Sequence, residues 1–433
     1  VRTAPVKTIV RVFACGLLLT GCSSPTPTEP PPPGLVSTEV QLVDDPAGTP
    51  LEEKRQILAP QGWTVSLWAR VPSARLLAWT PDGRLLVSRP RFGDVLALTP
   101  GSGKPAQTTL VDGLNQPHGL AFDGDTLYVA ESDQVDAFTY RAGSVSGRRV
   151  LVSGLPDEKN AELGGKYAHA LKTVVVGKDK SLYFSIGSTG NISAADRSEK
   201  PERAAILRVR AGGGEPAVFA RGVRNGTGLA VAPDGAVWTA VNNRDNIAYP
   251  SDFDDRGEVD MAYVNDHPLE PLARLDQGRD LGWPYCNPEP DLRAGDKESP
   301  LSYTNRPFTR DYQTNPDGTK LDCSKLPPVE QGLGAHSAPL GLSFASDVPG
   351  GYGTGALVGV HGSWNRQPPR QPEVSFFAWR DGKLGPQQTL LGGFQLPDGS
   401  RWGRPVMAVQ GPDGALYVSD DYAGAVYRVS AKR

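Results

Sequence analysis

The chain repeats one phrase six times between Ala74 and Asp421: a short apolar strand, a tight turn often written Asp-Gly, and a second strand rich in β-branched and aromatic residues. The copies are ARLLAWTPDGRLLVSR (74–89), PHGLAFDGDTLYVAES (117–132), AHALKTVVVGKDKSLYFSIGS (168–188), RNGTGLAVAPDGAVWTAVNN (224–243), APLGLSFASDVPGGYGTGALVGVHGSWNR (338–366) and RPVMAVQGPDGALYVSDD (404–421). Further strand candidates lie between them: DVLALTP (94–100), QVDAFTY (134–140), AAILRVR (204–210), VSFFAWR (374–380) and AVYRVS (425–430). A small sheet built from one unit leaves an apolar face uncovered, and neighbours packed around an axis cover it. The pattern predicts an all-β chain folded as a six-bladed β-propeller. A pair of β-sandwiches with coincidental Asp-Gly turns is the alternative, and six copies of one phrase argue against it. The 50 Gly and 40 Pro fit many turns and short strands, and 433 residues fit a single unit of this kind.

The spacing breaks between the fourth and fifth units. About 243–335 is an insertion rich in Pro, Asp and Asn, expected to cap one face of the propeller as a long loop. Within it, SDFDDRGEVD (251–260) clusters carboxylates. That suits a hard cation, or simply a solvated acidic loop.

Strand direction predicts which residues share a face. The start of each first strand and the end of each second strand lie at one edge, with the Asp-Gly turns at the other. One mouth therefore gathers Arg75, His118, His169, Arg224 with Asn225, His336 and Arg404 from strand starts. Strand ends add Arg89, Glu131, Ser188, Asn242 with Asn243, His361 with Trp364 and Arg366, and Asp420 with Asp421. Charged side chains are costly to bury unpaired, so this concentration points to a polar ligand. Arg89, Arg224, Arg366 and Arg404 are expected around one site, where guanidinium matches carboxylate or phosphate in two-pronged fashion. His169 titrates near neutrality and suits a general base. The net charge is −3 and no Lys/Arg run forms a stripe, which gives no support to nucleic-acid binding.

The N-terminal segment reads as an export signal. Arg2, Lys7 and Arg11 precede a short apolar stretch, Val12 to Leu19, and Leu19-Thr20-Gly21-Cys22 resembles the lipobox of bacterial lipoproteins. The expected division is a signal peptide over 1–22 with acylation of Cys22, a Pro-rich tether over 23–34, and a propeller over 35–433. An ordinary signal peptide with an incidental cysteine is the alternative. The chain would then be exported and anchored by lipid to the cell envelope. Residues 35–60 are mixed in pattern and can contribute a strand near the start, without a fixed place. Once Cys15 leaves and Cys22 is acylated, Cys286 and Cys323 remain, and a disulfide between them is predicted, with two buried thiols as the alternative.

Three segments carry a family resemblance. They are HSAPLGLSF…GALVGVHGSWNR…WGRPVMAVQGPDGALYVSDDYAGAVYRV (336–429), FARGVRNGTGLAVAPDGAVWTAVNNRDN (219–246) with LGWPYC (281–286), and His169 followed by LYFSIGSTGN. Over roughly 70–430 the chain resembles the soluble aldose and L-sorbosone dehydrogenases that depend on pyrroloquinoline quinone (PQQ). The resemblance implies hydride transfer from a sugar or sugar-derived aldehyde to the quinone, with His169 as catalytic base. It places Arg224 and Asn225 beside quinone and substrate, and Arg366 near a basic cofactor position. It sets Arg404 on a PQQ carboxylate and Asp421 near the cofactor. It also implies a calcium ion against PQQ, held partly by backbone carbonyls in the loop of Arg244 and Asp245. An anchored enzyme of this kind would pass electrons to a quinone or cytochrome acceptor. The chain departs from the family at Gly226, where proline is usual, and at Ala168. It also departs at Ser188, which stands where the glucose-oxidising branch has an acid, and this leaves glucose as substrate open. Two other classes compete. One is a metal-dependent lactonase-like propeller using Glu131, Asn242 and Asp420, and the other is a non-catalytic sugar-binding lipoprotein.

Overall fold

The computed structural model describes residues 34–42, 48–159, 167–250 and 253–431. The signal segment, Cys22 and the Pro-rich tether lie outside the described residues. Six sheets surround a common axis, and each repeat supplies the two inner strands of one blade. Blade 1 runs Leu77–Trp79, Leu85–Arg89, Asp94–Thr99, Ala106–Val111, and blade 2 runs Gly119–Asp123, Thr126–Ala130, Val135–Arg141, Ser144–Val152. Blade 3 is Val174–Val176, Ser181–Ile186, Ala205–Arg210, Ala217–Arg221, and blade 5 is Pro339–Val348, Gly353–Val360, Glu373–Arg380, Lys383–Leu391. The strand candidates expected between the repeats are the third strands of their blades.

The sixth blade joins the two ends of the chain. Pro405–Gln410, Leu416–Asp420 and Ala425–Ala431 come from the last repeat, and the outer strand Trp63–Arg70 comes from the start. Trp63–Arg70 pairs antiparallel with Ala425–Ala431, from Trp63 opposite Ala431 to Arg70 opposite Ala425. Leu35–Leu42 and Gln56–Pro60 extend the same sheet. This closing strand alternates in burial, with Val65 and Leu67 in the largest core cluster beside Tyr427, Val429, Phe376 and Trp402.

The insertion is not a single loop. Glu270–Leu275 and Val329–Leu333 are the outer strands of blade 4, beside Gly228–Val231 and Val237–Ala240. Most of the described residues remaining in 241–269 and 276–328 form the cap, while Arg279–Asp280 and Thr304–Arg306 add edge strands to blades 3 and 4. A short helix, Met261–Asp266, is capped by Asp260, whose carboxylate accepts from the Ala262 N–H at 3.0 Å. A two-stranded sheet, Cys286–Pro288 with Phe308–Arg310, is stapled by a disulfide from Cys286 to Cys323. Of the described carboxylates of 251–260, Asp255 pairs with Lys297 and Asp260 caps the helix.

Inner strands crowd the axis. A Cβ at Gly119 would stand 2.5 Å from the Val174 nitrogen, and one at Gly341 would stand 2.8 Å from the Val406 carbonyl, so these sites admit only glycine. Below the mouth, Leu76, Leu340 and Val406 pack together with Met407. Beside them a mostly apolar cavity of about 270 Å³ is lined by Leu120, Phe122, Val174, Leu229, Phe344 and Met407, with Thr173, Thr227 and Ser343 adding hydroxyls. The axis is therefore charged at the mouth and mostly apolar further in.

Closing the ring depends on the Trp63–Arg70 strand. Leu67 is 1% exposed, and Leu67→Ala should destabilise the whole propeller by about 2–5 kcal/mol. A urea denaturation midpoint that falls with an unchanged slope would show this.

Candidate active site

The polar mouth forms as strand direction predicts, but not from every residue named. His169 lies just before blade 3 and packs against the end of that blade's second strand. A Cβ at Gly187 would meet His169 Cβ at 2.5 Å and Asn225 Oδ1 at 3.1 Å, so glycine there is what lets the imidazole sit close. His169 Nδ1 lies 2.9 Å from Ser188 Oγ and 3.1 Å from the Ser188 carbonyl. The Ser188 hydroxyl donates to the Gly190 carbonyl at 2.7 Å, so toward His169 it accepts. Both partners of Nδ1 are then acceptors and Nδ1 carries the proton, which leaves Nε2 with its lone pair. Burial and then the Arg224 charge push the His169 pKa down to about 3, so the ring is neutral at physiological pH. Ser188 thus orients the His169 ring without a charged partner.

Arg224 is 3% exposed and held on several sides. It donates to the Asn191 carbonyl (3.3 Å), Asn191 Oδ1 (3.0 Å) and the Asn242 carbonyl (3.1 Å), and faces Asp245 at 3.7 Å. Asn191 also accepts from the Asp245 N–H at 2.8 Å and donates to the Asp245 carbonyl at 2.9 Å. One asparagine therefore fixes both Arg224 and the 242–245 loop. In the sequence Asn191 is only the last residue of LYFSIGSTGN, since nothing local marks a side chain that bridges two segments. Asp245 lies 3.7 Å from His336 Nδ1, and His336 Nε2 bonds the Val264 carbonyl at 2.6 Å. Glu270 is buried beside Arg224 and Asp245, and burial raises its carboxyl well above the ordinary range.

A second charged group sits across the mouth. Asp421 bridges Arg75 and His361, each at 2.8 Å. His118 Nε2 lies 3.4 Å from the same Arg75. The cost of burial is outweighed by His361 and Arg75, so the Asp421 carboxyl lies far below its ordinary pKa. His361 is pushed down to about 4 by burial. Arg404 donates to the His361 carbonyl at 2.8 Å and the Gly362 carbonyl at 3.3 Å. With His118, His169 and His361 held neutral by burial, Arg75, Arg224 and Arg404 face Asp245 and Asp421. The mouth keeps a cationic surplus, which suits a ligand with carboxylates.

Several expected members stand elsewhere. Arg89 forms a two-pronged pair with Asp94 on its own blade and stacks over Phe92. Arg366 reaches the cap instead, donating to the Asn265 carbonyl at 2.9 Å and pairing with Asp266 at 3.5 Å. Strand direction fixes height along the axis but not distance from it, and both arginines are committed to partners other than the mouth's. The Arg244 side chain turns away into the cap against Asp311 and Gln313. Two of the three side chains of the metal-dependent alternative are engaged on their own blades. Glu131 is bound up with Arg148 and Asn115 on blade 2, and Asp420 accepts from the Tyr422 and Ala423 N–H groups on blade 6. Two aromatics stand open beside the mouth, Trp364 and Tyr422, 74% and 57% exposed.

The TrAA12-like family model matches residues 57–432. The chain belongs to the TrAA12-like family. Among proteins similar to this TrAA12-like chain is the pyrroloquinoline quinone-dependent pyranose dehydrogenase of Coprinopsis cinerea, 27% identical over 351 residues. That match covers 71% of this chain and 44% of the relative, so the chain spans less than half the length of that enzyme. An uncharacterized protein of Borreliella burgdorferi is 24% identical over 74% of this chain and 77% of its own. In structure, the holo PQQ domain of the Coprinopsis pyranose dehydrogenase superposes with a TM-score of 0.72 at 20% identity, covering 90% of this chain and 100% of that domain. A Trichoderma reesei carbohydrate-active enzyme of family AA12 gives 0.71 at 22%, covering 87% and 98%. The PQQ-bound aldose sugar dehydrogenase of Streptomyces coelicolor gives 0.53 at 15%, covering 86% and 100%. At these identities the structural likeness establishes the fold, a six-bladed propeller.

Ser188→Ala removes one of two acceptors of the His169 Nδ1–H and leaves the backbone carbonyl. The pKa of His169 should stay low because its main cause is burial. Monitored by NMR of the imidazole carbons, the ring should remain neutral from pH 8 down to pH 5 in both forms. A wild-type ring that protonates near the ordinary value of about 6.5 would contradict the buried geometry.

Proposed function

We propose that this protein is a PQQ-dependent oxidoreductase acting on a sugar or sugar-derived aldehyde, with His169 as general base. The observation that carries the reading is the bare Nε2 of His169, whose tautomer is set by Ser188. It sits beside buried Arg224 in a mouth whose ionised side chains are cationic on balance. The similar Coprinopsis cinerea protein is a pyrroloquinoline quinone-dependent pyranose dehydrogenase, which supports this reading.

The residues present suit the cofactor. PQQ is a flat quinone with three carboxylates, and Arg75, Arg224 and Arg404 are the cations to receive them. Arg404 and Asn225 are the proposed direct contacts, and Asp421 holds Arg75 in place. Bound there, PQQ would supply the two-electron acceptor for a hydride from the substrate carbon. His169 Nε2 takes the hydroxyl proton as the C–H bond breaks. Burial, helped by the Arg224 charge, keeps His169 neutral and available, and Arg224 stabilises negative charge developing on substrate oxygen. Asp245 offers a carboxylate and a carbonyl, with Arg244's carbonyl on the same loop, as oxygens for a calcium ion beside the quinone. Exposed Trp364 and Tyr422 offer faces for a sugar ring. Arg366, bound to the cap, is read as bracing the mouth rather than touching the cofactor. Acylation at Cys22 would hold the enzyme at the envelope, where a membrane quinone or a cytochrome could accept the electrons.

Titration with PQQ in the presence of calcium, followed by fluorescence quenching and then by dye reduction with aldoses, pyranoses and sorbosone, tests the reading. His169→Gln should keep PQQ affinity and lose about 10²–10⁴-fold in kcat. Arg404→Ala should weaken PQQ binding by about tenfold or more, equivalent to about 1.4 kcal/mol. Because the active form of His169 is the neutral one and its pKa is depressed, kcat/KM should show no acid limb attributable to it above pH 5. Absence of both PQQ binding and dye reduction would overturn the proposal.

A further inference from the structure

The cap holds a second inward-facing polar cluster that the mouth does not use. His267 follows the helix Met261–Asp266, and Glu289 and Asp291 follow the strand Cys286–Pro288. The three are 5%, 2% and 6% exposed, and one ligand atom from each lies within 4.8 Å of the others. His267 Nδ1 lies 2.9 Å from the Tyr263 carbonyl, which only accepts, so Nδ1 carries its proton and Nε2 faces the carboxylates. Nε2–H donates to Glu289 Oε1 at 3.1 Å and lies 3.4 Å from Asp291 Oδ2, so a bound cation would take the place of that proton. The ring is locked by stacking on Tyr263 at 3.8 Å.

Two further observations point to a ligand. Glu289 Oε2 is buried without a hydrogen-bond partner, and so is the hydroxyl of Tyr263, the residue stacked on His267. A buried carboxylate oxygen with nothing to bond is costly. Arg306 is close but satisfies other atoms. It donates to the main-chain carbonyls of Glu289 and Asp291, which fixes the turn and leaves the carboxylates facing His267.

We propose that His267, Glu289 and Asp291 form a structural site for a divalent transition-metal cation of the zinc class. Metal–ligand bonds of about 2.0 Å in a tetrahedron give ligand–ligand edges of about 3.3 Å, close to the 3.1 and 3.4 Å seen. One imidazole with two carboxylates favours zinc-like ions over calcium, which gathers a larger all-oxygen shell. An imidazole held by a carbonyl on its other nitrogen is also how ligating histidines are oriented. Glu289 Oε2 or a water would complete the shell. The site lies one turn from the Val264 carbonyl that His336 grips, and next to Asn265 and Asp266, which hold Arg366. Metal there would pin the cap helix to the mouth.

The test does not pass through the redox reading. Full-length protein stripped by chelator, reloaded with zinc chloride without PQQ and desalted should retain about one equivalent of zinc per chain, measured by elemental mass spectrometry, and should melt at a higher temperature. Glu289→Gln and His267→Gln, checked for folding by circular dichroism, should retain about a tenth of that or less and lose the thermal shift. Cobalt(II) in place of zinc should give visible d–d bands in wild type, which decides the matter even where a variant does not fold. Failure of wild type to retain zinc identifies a metal-free ion triad and overturns the proposal. Equal zinc retention in Glu289→Gln, or retention of calcium in preference to zinc at these residues, overturns it as well.

Discussion

The pairing of Trp63–Arg70 with Ala425–Ala431 is the constraint on which the rest depends. An open ring of blades would leave two exposed sheet edges and an apolar face on each terminal blade. Closing it with strands from both ends of the chain makes every blade a neighbour of two others, so the first strands are held at a fixed radius. Only then do Arg75, His118, His169, Arg224 and Arg404, which are far apart in sequence, meet at one mouth. The glycines at 119 and 341 belong to the same requirement, because the inner strands approach more closely than a Cβ allows.

Within the mouth, charge is arranged by burial more than by pairing. His118, His169 and His361 are all pushed down by loss of solvent. They act as neutral hydrogen-bonding rings among fixed guanidinium charges. His361 completes the Arg75–Asp421 bridge, and His169 keeps a lone pair free. The same imidazole in water would be partly protonated at neutral pH and a poorer acceptor. The Ser188 hydroxyl, with its proton committed to Gly190, settles the tautomer without adding charge.

The repeats were legible because an Asp-Gly turn flanked by alternating apolar residues is a local signal, and strand direction then placed strand ends on one face. What remained hidden was non-local. Trp63–Arg70 carries no hairpin phrase, since its partner lies at the other end of the chain, and so its place could not be read. Glu270–Leu275 and Val329–Leu333 were absorbed into the insertion because more than fifty residues of Pro- and Asp-rich cap separate them. Arg89 and Arg366 were expected at the site because sequence order gives height on the axis and not radius. Asn191, and the buried trio of His267, Glu289 and Asp291, depend on contacts across separate segments that no spacing reveals.

The packing of Leu76, Leu340 and Val406 below the mouth has a consequence for traffic. Three buried apolar side chains, joined by Met407, lie directly beneath the charged groups, and a hydrated ion or sugar passing between them would have to shed water at a cost of several kcal/mol. Polar solutes therefore reach His169 and Arg224 most readily from the mouth side.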